Sequence, residues 1–521
     1  MSPTARAILA SWSLPLWPTL LAAVTAIVYV RGWRRLSRLT PGVFSRRRLA
    51  AFLAGLGVLW LALASPIDAF DSFLLADHML QHLLLMVAAP PLILLGAPAL
   101  PLLHGLPRWA VRDGLGPFLS WPPLGRLGRG LTHPVSCWLL MAVAMIGWHL
   151  PAAYELALRS PGWHDVEHAC FFTTSILFWW PVILPWPSRP HWPLWTMPLY
   201  LLLGDFVNSA LSAFLAFYDR VLYPTYLAAP RLFGISALND QAAAGALMWV
   251  VGSFAFVVPA VAITVRLLSP RPVAARARKM DPIPPSSPLI SPGFDDQAGS
   301  GRGSRGFRYG RQAAQAALLA LALAVAVYGI LAPADLDDPA VVSLNEASGP
   351  FRIAVFTSPA SPRAGLLGVS VLVQDRTSGE VILDATVEVI LQSRDNETRA
   401  IRSRAARDDA TNKLLQSAVL SLPAPGRWDL DVLVRRGQDE AVVATGLDIA
   451  APPTTLASLW PYLLLLVFCA GLMVLHQALW GSARAFADKR QTLLSGMTAN
   501  RGIPDPKAKT STLDRVAHDH R

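Results

Sequence analysis

Charge is what this sequence has least of. Only 15% of its 521 residues are Asp, Glu, Lys or Arg, where a soluble domain carries about a quarter. A water-soluble globule of this length is excluded. Cysteine is scarcer still. Cys137, Cys170 and Cys469 all fall in apolar stretches and no CxxC pair occurs, which removes a disulfide framework and a thiol-based metal carrier. No glycine-rich phosphate loop, flavin motif or nucleophile–base pair is found either, so nothing points to bond-breaking chemistry.

Hydrophobicity is what abounds. Apolar residues make up 53% of the chain, mean hydropathy is +0.41, and runs near 20 residues recur, long enough to cross about 30 Å of hydrocarbon. The net charge of +11 does not indicate nucleic acid, because the basic residues cluster in short loops beside apolar runs, where they set topology. Nine spans are expected: 14–30, 49–64, 73–96, 131–150, 165–184, 195–217, 240–266, 313–332 and 457–479. The first resembles a secretory signal in part. Arg31, Arg34, Arg35 and Arg38 follow it without a small-residue cleavage site, so it reads as a retained span. Loops 31–48 and 97–130, the 267–312 segment and the tail are all rich in arginine or lysine, whereas loops 65–72 and 151–164 hold one basic residue, Arg159. The N-terminus is therefore expected outside and the C-terminus in the cytoplasm.

The expected fold class is an all-α polytopic membrane protein, a seven-helix bundle plus two further spans, carrying an extracytoplasmic β-sandwich. Residues 14–268 form the seven-span domain. Residues 269–312, rich in Pro, Gly, Ser and Arg, read as a disordered cytoplasmic linker. A span at 313–332, a polar region at 333–455, a span at 456–480 and a cytoplasmic tail at 481–521 follow. The polar region alternates apolar and polar residues in FRIAVF, GVSVLVQD, TVEVILQ, WDLDVLV and VVATGLDI. Six or seven short strands of this kind suggest an immunoglobulin-like sandwich. It has no His, Cys or Met, so no soft metal is expected there.

Of eleven histidines, five converge on the outer side. His78 and His82 stand at i and i+4 on the third span and share a helix face. His164 and His168 repeat that spacing at the start of the fifth, and His149 closes the fourth. His104 falls on the cytoplasmic side. A single membrane histidine reads as a packing residue; two such pairs on one side read as a site, because polar groups in a bilayer are costly. Imidazole suits copper, zinc, iron or nickel. Met141, Met145 and His149 lie four residues apart on one stripe, and thioether favours Cu(I), although such a stripe also suits plain packing. Asp77, Asp165, Glu167 and Asp240 could orient imidazoles through their second nitrogen, and Asp68 and Asp71 in the first outer loop could attract cations. Asp205 and Asn208 sit deeper in the sixth span as intramembrane polar residues.

Three stretches carry a resemblance to a known family: SPIDAFDSFLLADHMLQHLLLMVAAPPLILLGAP (65–98), WHLPAAYELAL with HDVEHACFFTTSILFWWPVI (148–158 and 164–183), and ALNDQAAAGALMWV (237–250). They resemble the polytopic CtaG family of caa-type cytochrome c oxidase assembly factors over about residues 14–268. The resemblance implies a role in copper delivery or copper-site formation, with cytochrome c oxidase subunits and a copper donor protein as partners in a bacterial plasma membrane. It also implies His78, His82, His149, His164 and His168 as the motif histidines, with Asp240 and Gln241 as the family's Asp–Gln pair. The C-terminal unit is similar in architecture to small FixH or YtkA-like oxidase-maturation proteins. Rival readings are a copper or proton transporter, a haem b-binding electron carrier and a metal-free scaffold.

The topology is checked by fusion. A reporter active only outside the cytoplasm should work near Asp395 and fail near Gly301; the reverse pattern would place the histidines on the inner face.

Overall fold

The computed structural model describes residues 1–119, 121–188, 192–269, 341–394 and 400–451. The spans expected at 313–332 and 457–479, the linker and the tail lie outside the described residues. Within them, six helical stretches are long and apolar enough to cross a membrane: Leu16–Leu39, Arg46–Phe70, Leu75–Leu95, Gly162–Ile183, Thr196–Phe217 and Ala237–Leu268. Each answers to an expected span. The stretch expected at 131–150 differs. Its helix is Pro134–Trp148, only 15 residues long, and it meets Pro122–Leu131 at a bend of 68°. Pro134 has no N–H to continue a helix. The His133 side chain instead accepts from the Val135 N–H at 3.3 Å, starting a new one.

The third helical stretch is itself irregular. Leu75–Leu83 is α-helical, Leu84–Ala88 is a π-helical turn, and Ala89–Leu95 resumes the α form. The cause is Pro90, which cannot donate to the Met86 carbonyl four residues back. The Trp179 indole N–H donates to that carbonyl at 3.0 Å. A backbone acceptor stranded in apolar surroundings is thus satisfied by a neighbouring helix.

Glycines allow the closest helix approach. The Thr196–Phe217 and Ala237–Leu268 helices cross where a Cβ on Gly245 would collide with the Ala216 backbone and one on Gly252 with the Asn208 amide. Small residues at such a crossing replace the hydrophobic driving force that lipid cannot supply.

Eight strands are described in the C-terminal region: β1 (Val341–Ser348), β2 (Phe351–Ser358), β3 (Gly365–Asp375), β4 (Thr386–Ser393), β5 (Ile401–Ala405), β6 (Gln416–Leu422), β7 (Gly426–Arg436) and β8 (Asp439–Ile449). They form two four-stranded antiparallel sheets, ordered β1-β2-β3-β6 and β5-β4-β7-β8. Ile353, Val355, Val369 and Val371 of one sheet share a buried cluster with Val387, Val389, Trp428, Leu430 and Val432 of the other. Alternation in the sequence marks five of the strands; β1, β5 and β6 carry polar or charged residues that blur it.

Strand β2 is buried on both faces, which a sheet with one solvated face would not require. Its second face explains why FRIAVF is almost wholly apolar. Ala354 and Phe356, with Leu372, Leu414 and Leu415, form one cluster with Phe70, Phe73 and Leu232 of the helical region. The Phe73 and Phe356 rings lie 5.2 Å apart. Polar bonds frame the cluster. Asn412 Nδ2 donates to the Ala69 carbonyl at 3.0 Å, the Lys413 N–H to Ser11 Oγ at 2.8 Å, and Gln374 Nε2 to the Arg231 carbonyl at 3.0 Å.

Phe356→Asp should therefore leave the sheet-to-sheet core intact while detaching the sheets from the helices. Hydrogen exchange should rise across residues 69–75 and 228–232 and stay unchanged across β7. Unchanged exchange in the helical segments would count against this docking.

Candidate metal centre

The site starts from a helix that cannot cap itself. Leu74 occupies the N-cap of Leu75–Leu83 and offers no side-chain acceptor. The Asp240 carboxylate takes that place from the start of another helix, accepting from the Leu75 N–H at 2.6 Å and the Ala76 N–H at 3.1 Å. Charge-assisted bonds of this kind are the strong ones, and a helix N-terminus favours negative charge. Asp240 was expected to orient an imidazole; it holds the histidine-bearing helix instead. Gln241 beside it also works on backbone, accepting from the Leu222 N–H at 2.8 Å and donating to the Arg220 carbonyl at 3.0 Å.

From that helix His78 and His82 face the Pro161–Ile183 helix. Their Nε2 atoms are 2.9 Å apart. His168 lies across from both, with ring centroids 6.3 and 5.5 Å away. His78, His82 and His168 offer nitrogens all within 4.8 Å of one another, and all three residues are buried. His164 stands with His78 and Asp71 in a second such group. His149 is adjacent, its ring 6.3 Å from that of His82 and its Nδ1 2.7 Å from the Met145 carbonyl. Glu167, fully buried, sits 4.0 Å from His78 Nε2 and 3.8 Å from His82 Nε2, within ionic reach but beyond hydrogen-bond length.

The other expected residues are placed differently. Met141 and Met145 pack in an apolar cluster with Leu75, Met79 and Tyr154. Asp165 is exposed. Asp77 is half-buried with one oxygen lacking a hydrogen-bond partner. Asp205 accepts from Ser253 at 2.8 Å, and Asn208 donates to the Met248 carbonyl at 3.3 Å, both between the glycine-packed helices.

Sequence reasoning missed a tyrosine shell. The Tyr226 hydroxyl donates to the Asp71 carbonyl at 2.8 Å and lies 3.2 Å from His78 Nδ1 and from the Tyr154 hydroxyl. Tyr154 stacks on Tyr223 at 4.0 Å, and the Tyr223 hydroxyl donates to the His149 carbonyl at 3.0 Å. Of the three, only Tyr154 lies within a family-like stretch, and no periodicity marks the others. Burial raises the Tyr226 hydroxyl pKa well above its ordinary value. Burial, with Asp68 nearby, likewise lifts the Asp71 carboxyl well above the usual range.

The chemistry is decided by bonds not made. His82 Nδ1, His149 Nε2, His164 Nε2, His168 Nε2 and both Glu167 oxygens are buried without a hydrogen-bond partner. Each such atom costs about 1–3 kcal/mol, and native interiors hold few. Nitrogens and a carboxylate gathered this closely fit a cation. Two imidazole nitrogens at about 2.0–2.1 Å from a tetrahedral ion stand about 3.3 Å apart, so His78 and His82 need part by only a few tenths of an ångström to share one.

Residues 27–269 match the family described as cytochrome c oxidase caa3 assembly factor, Caa3_CtaG. The helical region is similar to that family over these residues. An uncharacterised protein of Mycobacterium bovis and one of Mycobacterium tuberculosis are each 25% identical over 259 residues, 47% of this chain and 38% of theirs. One from Mycobacterium leprae is 26% identical over 240 residues, 44% of this chain and 35% of its own. The chain thus spans well under half the length of these relatives. No solved structure matches.

Asp240→Ala should remove the cap and cost about 1–2 kcal/mol, seen as a lower unfolding temperature in detergent by tryptophan fluorescence. A variant as stable as the parent would show that the bond to Leu75 and Ala76 carries no weight.

Proposed function

We propose that this protein is a membrane-embedded assembly factor for a cytochrome c oxidase, binding copper as Cu(I) at its histidine cluster and assisting copper-site formation in the oxidase. Similarity to the assembly-factor family supports the first part. The observation that carries the second is the triad of His78, His82 and His168, whose nitrogens lie within 4.8 Å of one another, with His82 Nδ1 and His168 Nε2 buried and without a hydrogen-bond partner. Copper is cargo in this reading, and the chain performs no bond-breaking chemistry. Its partners are oxidase subunits and a copper donor protein, within the bilayer of a bacterial plasma membrane.

The cluster would face outward. The bent pair Pro122–Trp148 would be one crossing, giving seven. The spans at 313–332 and 457–479 would hold the two sheets, packed as an immunoglobulin-like sandwich, outside the cytoplasm. Three imidazoles satisfy a Cu(I) ion, which accepts soft and borderline donors. Glu167 would balance its charge. The apolar wall, Phe171 at 4.7 Å from the His82 ring among it, keeps water from competing for the ion.

The transporter rival fares less well. A transport path needs polar groups on both halves of the bundle, but Asp205 and Asn208 are engaged with Ser253 and Met248.

The test is metal analysis of protein purified with and without added copper. Wild type should retain Cu(I). The His78→Ala, His82→Ala double variant should lose it by at least about one to two orders of magnitude in affinity, while His104→Ala should not matter. Cells with the double variant should make the oxidase polypeptide but show low oxidase activity, partly restored by excess copper. Normal copper binding by an accumulated double variant would leave the metal-free scaffold as the reading.

A further inference from the structure

The cluster contains two overlapping groups, not one. His78, His82 and His168 form an inner triad and Asp71, His78 and His164 an outer one, and His78 belongs to both. Its two ring nitrogens address different neighbours. Nε2 lies 2.9 Å from His82 Nε2, on the inner side. Nδ1 lies 3.2 Å from the Tyr226 hydroxyl, which also donates to the Asp71 carbonyl. His164 Nε2 and Asp71 Oδ2 are 3.7 Å apart, and that nitrogen has no hydrogen-bond partner although it is buried.

The two triads differ in access and in chemistry. The side chains of His164 and Asp71 are 20% and 17% exposed, whereas His78 and His82 are 0% and 3% and His168 is 8%. The outer group therefore lies nearer the solvent than the inner one, although His164 Nε2 itself is buried. The outer triad includes a carboxylate, a hard donor suited to a hydrated cation and a poor partner for Cu(I); the inner triad is all imidazole. A pathway needs a first position attractive enough to enter and weak enough to leave.

On these grounds we propose that Asp71, His78 and His164 form a transit position for a copper ion on its way to and from the inner triad. The ion exchanges Asp71 and His164 for His82 and His168 and passes from one ring nitrogen of His78 to the other, so the same residue holds it before and after the move. No electron is transferred: Cu(I) enters and Cu(I) leaves. This rests on the copper reading above. Because His78 would have to lose its ring proton to bridge two ions, one ion occupies the pair of positions at a time.

Full-length protein in detergent is loaded anaerobically from a soluble Cu(I)–chelator complex, then stripped by excess chelator, with both rates followed. Asp71→Asn, which keeps the side chain's size and leaves the Tyr226 bond to the backbone, should slow both steps by about tenfold. His164→Ala should do the same without a change of formal charge, and the pair together should slow them little further, since both act on one step. The retained affinity should change by less than about threefold, because a transit position lowers a barrier and leaves the end states alone. His82→Ala, by contrast, should collapse the affinity. Parental rates in Asp71→Asn and His164→Ala would overturn the transit position and leave the resident site standing. So would a loss of affinity as large as that of His82→Ala, which would make the cluster a single site. A wild-type protein that takes up no Cu(I) would instead sink the copper reading, and the transit position with it.

Discussion

The Asp240 carboxylate holds the start of the helix on which the whole histidine cluster depends. A helix N-terminus presents donors that nothing in the helix can satisfy, and Leu74 at its cap offers no side-chain acceptor. The acceptor comes from 165 residues away in sequence. That bond sets where the helix begins and hence the direction in which His78 and His82 project. The far side of the same segment is held in a similar way, with Trp179 satisfying the carbonyl that Pro90 strands. Between these two anchors lies the π turn Leu84–Ala88. A π turn often marks a functional site, and here it follows the second histidine directly.

The contrast between satisfied and unsatisfied polar groups defines the site more sharply than residue type does. Around the cluster several buried polar groups find partners, although Gln81 Oε1 and Asp77 Oδ2 do not. Gln81 Nε2 donates to the Ala62 carbonyl and to Asp68, Gln241 ties down Leu222 and Arg220, and Glu155 accepts from Thr225. The same chain that places these bonds leaves His82 Nδ1, His149 Nε2, His164 Nε2, His168 Nε2 and both Glu167 oxygens buried without a hydrogen-bond partner. These atoms come from three helical segments, the ones that carry His82, His149 and His164 with Glu167 and His168, and a cation at the cluster would give them the partners they lack.

Much of this is legible in the sequence, and what is not has physical causes. Hydropathy locates the six long helices of the N-terminal region and the bent pair, because a bilayer demands apolar length. The i,i+4 spacing places His78 with His82 and His164 with His168. The break at Thr132–His133 escapes notice because a bent pair keeps the hydropathy of one span. Asp240 is recognisable as a carboxylate near the site, but its role is not: whether it meets an imidazole or a helix terminus depends on tertiary packing. The Met141–Met145 stripe is ambiguous in sequence, and in the fold it fills the apolar cluster. Asp71 reads only as a loop charge, because its partnership with His164 joins residues 93 positions apart.

The sheet region is tied to the site by more than sequence continuity. Strand β2 turns Ile353 and Val355 toward the opposite sheet and Ala354 and Phe356 toward Phe70, Phe73 and Leu232. Burying a phenylalanine contributes about 1.5–3 kcal/mol, so this second face is a substantial part of what holds segments 69–75 and 228–232 in place. Those segments flank Asp71 on one side and follow Tyr226 on the other. Gln374 bonds the carbonyl of Arg231, whose guanidinium in turn donates to the Tyr226 carbonyl. A domain with no His, Cys or Met thereby braces the segments that carry Asp71 and Tyr226 beside the histidine cluster. Its contribution to the site is order in the segments that carry Asp71 and Tyr226.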